Sequence, residues 1–168
     1  MKRFFIVFTI VITVGIHGTH AQRMQKGMSL FNAGLGLVPG LGLNISYDYG
    51  LIDEWGPGIF TIGGYAGFAN WGKAYPAKPH YLDYRVNAFA FASRTTYRYA
   101  INKQFEVYGV VMLGGVSYSY SAYIHNAIGL FFAVTGGCRY SFNSNITVFA
   151  EMGFNEISLL NGGLSFSF

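Results

Sequence analysis

The chain has 168 residues and a formal net charge of +4; only 11% of its residues are charged, while 18% are aromatic and 23 are glycine. Charged residues make up near ~25% of an ordinary soluble domain, so this composition speaks against a water-covered surface, and two of the surplus positive charges belong to Lys2 and Arg3, which leaves no basic footprint for nucleic acid. The single cysteine, Cys138, has no partner within the chain and excludes a disulfide framework or a cysteine-rich metal site.

Lys2 and Arg3 precede an apolar stretch, Phe4 to Ile16, that is too short to cross a bilayer as a helix. Thr19-His20-Ala21 then offers the small residues read by a signal peptidase. Residues 1–21 are expected to be a cleaved secretory signal peptide, and residues 22–168 one domain. Every later apolar run is broken by Gly, Asn, Ser or a charge before the ~18–20 residues a membrane helix needs.

Alternation with period two predicts eight strands, near residues 28–37, 41–49, 58–69, 84–100, 104–118, 127–142, 146–155 and 157–168. Short turns are expected at Ile101 to Lys103 and Asn143 to Asn145, and a somewhat longer one at Gly50 to Pro57, on the side of both termini. The opposite side takes the Val38-Pro39-Gly40 turn, segment 70–83, segment 119–126 and a tight turn at Asn155-Glu156. Segment 70–83 contains Pro76 and Pro79, which argue against a strand, and it is expected to be the largest extracellular loop.

Four strands end on aromatic–polar–aromatic triplets: Tyr47-Asp48-Tyr49, Tyr97-Arg98-Tyr99, Tyr140-Ser141-Phe142 and Phe166-Ser167-Phe168. Residues i and i+2 of a strand share a face, so each triplet presents two rings together. Rings with an apolar body and a polar edge settle at a membrane–water boundary. The eight aromatics therefore form a candidate periplasmic girdle, the mark of an eight-stranded antiparallel up-and-down transmembrane β-barrel.

One phase of the strands is bulky and, apart from Arg85 at the rim of the fourth, uncharged: Leu43, Ile45, Phe89, Phe91, Val111, Leu113, Leu130, Phe132, Val148 and Leu164 belong to it. The other is smaller and polar, and carries Asp48, Arg94, Arg98, Glu106, Arg139 and Glu151. Eight strands leave an interior just wide enough for side chains. The bulky phase would overfill it, whereas a charge on the lipid face costs ~2–4 kcal/mol at the midplane. The charged phase is thus assigned to the lumen, where three residues of each sign are expected to pair into a plug.

Other chemistry is sparse. Lys73, Lys78, His80 and Arg85, with Trp71, Tyr75 and Tyr81 between them, make a basic–aromatic group suited to lipopolysaccharide phosphates or an external partner. A hydrolase acting on lipid A would need His125 as base, Ser119 or Ser121 as nucleophile and Glu156 as orienting group, all within mutual reach. His80 and His125 make no metal set, the glycines near 34–40 and 56–64 follow no phosphate-loop spacing, and no catalytic residue or cofactor is assigned.

Three stretches resemble a known group: Ile45-Ser46-Tyr47-Asp48-Tyr49-Gly50 leading to Ile62-Gly63-Gly64-Tyr65-Ala66-Gly67-Phe68; Phe105-Glu106-Val107-Tyr108-Gly109 running to Met112-Leu113-Gly114; and Asn145 to Phe154 followed by Gly163-Leu164-Ser165-Phe166-Ser167-Phe168. The chain resembles the small eight-stranded outer-membrane barrels of Gram-negative bacteria, the OmpA/OmpX-like group, over essentially all of residues 22–168. The resemblance implies outer-membrane residence, with lipid and lipopolysaccharide as surroundings. It also implies that the terminal Phe168 is the signal read by the barrel-assembly machinery. It implies no shared catalytic set. The expected role is structural or surface interaction through loops 70–83 and 119–126, with an unidentified protein partner, and the competing one is a small porin-like solute path.

Overall fold

Alternating side chains commit the chain to strands, and unpaired strand edges commit the sheet to closing. The computed structural model describes residues 24–52, 56–76, 81–120, 126–142 and 146–168, and side chains at 73–84 and 126 fall outside that description, as does the expected signal peptide. Its eight strands are β1 (Ser29–Leu37), β2 (Leu41–Ile52), β3 (Ile59–Pro76), β4 (Tyr81–Ala100), β5 (Phe105–Tyr120), β6 (Asn126–Ser141), β7 (Ile146–Asn155) and β8 (Leu160–Ser167). Each pairs antiparallel with the next, and β8 returns to β1 from Leu30↔Ser167 to Leu37↔Leu160, closing the barrel. The wall is therefore an all-antiparallel, eight-stranded barrel, as the alternation predicts.

Strand boundaries differ from expectation at three places, one being β2, which runs on to Ile52 rather than ending at 49. Segment 70–83 is mostly strand: β3 and β4 stay in one unbroken register from Asn70↔Asn87 to Pro76↔Tyr81. Proline weakens a ladder by lacking an N–H, and Pro76 stands on the last rung, where the strand ends in any case. The turn expected at Asn155-Glu156 is also wider, because β8 starts at Leu160 rather than at 157. Asn155 Oδ1 accepts a hydrogen bond from the Ile157 amide at 3.1 Å. That turn tips Ile157 into the barrel, where it is 2% exposed.

Close packing inside the wall depends on glycine at particular rungs. Gly137 faces Tyr108 across the β5–β6 ladder, and a Cβ there would come within 2.6 Å of the phenol ring. A Cβ on Gly63 would collide with the Tyr47 carbonyl, so β2 and β3 can approach this closely only without one.

Candidate functional site

The lumen begins, on the side of the termini, with the charged set. Asp48 from β2 meets both arginines of β4: Arg94 Nε at 3.2 Å and Arg98 Nη2 at 2.6 Å. Arg94 Nη2 reaches Glu151 Oε1 of β7 at 2.5 Å, and Tyr108 of β5 donates its hydroxyl to the same oxygen at 3.0 Å. Asn32 of β1 donates to Asp48 Oδ2 at 3.1 Å and accepts from Ser165 of β8 at 2.5 Å. Strands on every side of the barrel are thereby tied through its axis. Buried charges are tolerated only when paired and hydrogen-bonded, and Arg94, Arg98, Asp48 and Glu151 are each at most 5% exposed. Arg139 and Glu106 sit together more loosely, at 3.9 Å. Arg98 lies over the Tyr108 ring at 4.9 Å, while its Nε and Nη1 and Arg139 Nε are buried with no hydrogen-bond partner among the described residues.

The mouth beside this set is covered by the chain's own N-terminal segment. The Gly27 amide donates to the Gly50 carbonyl and the Gly50 amide to the Met28 carbonyl, both at 2.9 Å. This tether lays Met24 and Met28 against Leu30 and Ile59 in a small apolar cluster. The Met24 amide points at Glu106 Oε1, 3.5 Å away. A cavity of about 10 Å³ lies just inside, lined among others by Met24, Glu106, Arg139 and Ser141, room for about one water.

Toward the opposite end the lumen changes character. Tyr65, Val110, Met112, Val116, Phe131 and Ile157 form a buried apolar cluster, with Tyr65 and Phe131 stacked at 5.7 Å. These positions share the parity of the charged, inward phase, which the alternation describes as smaller and polar. Only the terminal half is so. Trp71, expected as a loop contact, packs against this cluster and lies edge-on to Tyr118 at 6.4 Å. It shares the inward face of β3 with Tyr65 and Ala69, so it is not displayed. The side chains of Lys73, Lys78 and His80 lie outside the described residues.

Outside, the aromatic triplets stand together at the terminal end. Tyr47, Tyr49, Tyr99, Tyr140, Phe166 and Phe168 are exposed, and Tyr97 and Phe142 half-buried. Phe168 exchanges backbone hydrogen bonds with Ser29 at 2.9 and 3.1 Å, so the C-terminus is stitched into the closing seam. Of the groups a hydrolase would use, Ser119 is an exposed β5 residue, and Glu156 instead accepts from the Tyr118 hydroxyl at 3.1 Å and the Phe132 amide at 3.3 Å. Ser121 and His125 lie outside the described residues.

At the end away from the termini the wall is ragged. β6 begins at Asn126 but pairs with β7 only from Ala133↔Asn155 onward. The Phe132 and Phe142 amides both point to the β7 side, so by the two-residue period those of Ile128 and Leu130 do too. Among the described residues no strand pairs with these two on that side, and their side chains are 86% and 71% exposed.

The architecture has counterparts among solved structures. The N-terminal β-barrel domain of OprF from Pseudomonas aeruginosa superposes with a TM-score of 0.58 at 12% identity, over 86% of this chain and 100% of that one. The attachment invasion locus protein Ail of Yersinia pestis aligns at a TM-score of 0.46 and 14% identity, over 86% and 100%. The de novo designed TMB2.3 aligns at 0.46 and 21%, over 85% and 97%. The likeness to the OprF domain is one of fold. No protein-family model matches the chain, and no curated protein matches it.

Proposed function

We propose that this chain is an outer-membrane barrel of a Gram-negative bacterium whose work is presentation: a plugged, rigid wall holds an open strand edge outside the cell, where an extended segment of a partner protein adds to it. The observation that carries this reading is the free edge at Ile128 and Leu130. Exposed edges recruit strands, and soluble proteins normally blunt them with charge, proline or a cover. Here apolar residues flank the edge instead.

Residence in a bilayer is supported by the outward face. On β4 it reads Tyr97, Thr95, Ser93, Phe91 and Phe89 before Asn87 and Arg85 appear. The ten residue-to-residue steps from Asn87 to Tyr97, at ~3.3 Å each and tilted ~40°, rise ~25 Å, the height of the apolar band of such barrels. Ser93, within the band, donates to the Leu113 carbonyl at 2.9 Å and so brings no unpaired polar group into lipid.

The test uses a Cys138→Ser background with single cysteines at Ile128 and Phe91. In intact cells an impermeant maleimide should label Ile128→Cys and leave Phe91→Cys unlabelled. A photocrosslinker at Ile128, nearer the outer end of β6, should trap one discrete partner band, and Ile128→Pro should lose it by removing the edge N–H. If Phe91→Cys reacts and Ile128→Cys does not, the orientation is wrong. If no band forms on intact cells, presentation is wrong.

A further inference from the structure

The outer wall holds a trough that a smooth lipid annulus does not require. On β3 two small outward residues, Gly64 and Ala66, follow one another between Ile62 and Phe68. The registers set Ile45 and Leu43 of β2 on one side of Ala66 and Phe68, and Phe91 and Phe89 of β4 on the other. The result is an apolar trough of about 340 Å³, walled by Leu43, Ile45, Phe68, Phe89 and Phe91 with Ala66 at its floor. Phe89 and Phe91 brace each other edge to face at 4.5 Å, and a Cβ on Gly64 would meet nothing within 4 Å.

Polar chemistry sits at one end of this trough. The next outward rung beyond Phe68↔Phe89 is Asn70↔Asn87, where the Asn70 amide donates to the Asn87 amide oxygen at 2.6 Å. The rung after that carries Arg85, opposite Gly72, with its side chain exposed. Carboxamides offer donors and acceptors to hydroxyls and amides, and a guanidinium forks onto phosphate oxygens. At the opposite end the outward residues on these strands are Tyr47, Tyr49, Tyr97 and Tyr99, with no cation among them.

We propose that the trough seats one acyl chain of a phosphorylated glycolipid of the outer leaflet, with its headgroup on Asn70, Asn87 and Arg85. This rests on the membrane orientation proposed above. The apolar trough is continuous with the belt that the bilayer covers, and among the described residues the cation beside it, Arg85, stands at the outer end. A lipid of the inner leaflet would bring its phosphate to the tyrosines instead.

The experiment is native mass spectrometry of the detergent-purified chain with lipid A, dephosphorylated lipid A and phosphatidylglycerol. Wild type should retain one lipid A in preference to both others. Ala66→Leu, or Ala66→Val should the first fail to fold, fills the floor and should lower retention about tenfold, the loss of roughly two buried methylenes. Ala150→Leu, on the outward face of β7, should bind like wild type. Arg85→Gln should erase the preference for the phosphorylated form. The proposal is overturned if filled-trough variants with an intact heat-modifiable barrel bind as wild type, or if phosphatidylglycerol is held equally well. The orientation itself fails separately, if the wild-type protein stays dispersed without detergent and takes up no lipid.

Discussion

Arg94 illustrates how one side chain can hold a barrel together across its axis. It faces two carboxylates from two strands, Asp48 and Glu151, and is 2% exposed. Arg94→Leu would leave both acids in a dry interior with one cation fewer. Breaking a buried pair from one side costs ~3–5 kcal/mol, so the urea midpoint of the folded barrel in micelles should fall steeply. Arg94→Met with Glu151→Met removes both signs and leaves the 2.6 Å Asp48–Arg98 pair in place, so it should recover more than half of that loss. An equal loss in single and double variants would show that Glu151 is not the charge Arg94 balances. Tyr108→Phe probes the same network more gently. It keeps the ring under Arg98 and removes only the hydroxyl donated to Glu151, a charged acceptor, so ~1.5–3 kcal/mol should go with no change in the folded fraction at low denaturant.

At the scale of elements the N-terminal segment is separable from the wall. Met24 to Met28 precede β1 and are tied down by the two backbone bonds to Gly50 and by the apolar cluster with Leu30 and Ile59. Deleting residues 22–28 should leave every ladder in place but uncover the cavity beside Ser141. In a Cys138→Ser background, Ser141→Cys should then react with a small thiol reagent at least about tenfold faster than with the segment present, since a buried side chain reacts only as often as its cover opens. Unchanged reactivity would mean that Met24 does not close the mouth. Most elements were legible in the sequence because period-two alternation and the aromatic triplets are local signals: β7 falls at Ile146–Asn155, as the alternation predicts. What local signals missed depends on height along the barrel axis. Pro76 looked like a strand breaker because nothing in the sequence says it would stand on a final rung. Ile157 looked like the start of a strand because alternation does not show that a turn can fold inward and fill the lumen. Asp48, Arg94, Arg98 and Glu151 were legible as one group because charge in an inward phase has few places to go. The apolar upper half, from Tyr65 to Phe131, was not, because parity reveals which face a residue takes but not which residues share its level.

For the molecule as a whole, strand number sets the bore, and the bore decides whether anything can pass. Eight strands enclose only enough room for side chains, whereas water-filled channels need about 16–18. On the plugged reading proposed above, the ionic set around Arg94 and the apolar stack of Tyr65, Phe131 and Ile157 act as two unlike obstructions in series. An ion would have to break buried pairs in the first and shed its water in the second, and each step opposes it for a different reason. In planar bilayers the protein should therefore show no steady porin-sized steps. Because the obstructions are independent, opening one is not enough. Phe131→Ala with Ile157→Ala removes the apolar stack yet leaves Asp48, Arg94 and Glu151 joined, and should stay silent. Arg94→Met with Glu151→Met removes part of the ionic set yet leaves the stack, and should also stay silent. Stable conductance from wild type would refute the plug outright. Stable conductance from only one of these variants would identify its region as the sole barrier and the other as mere filling.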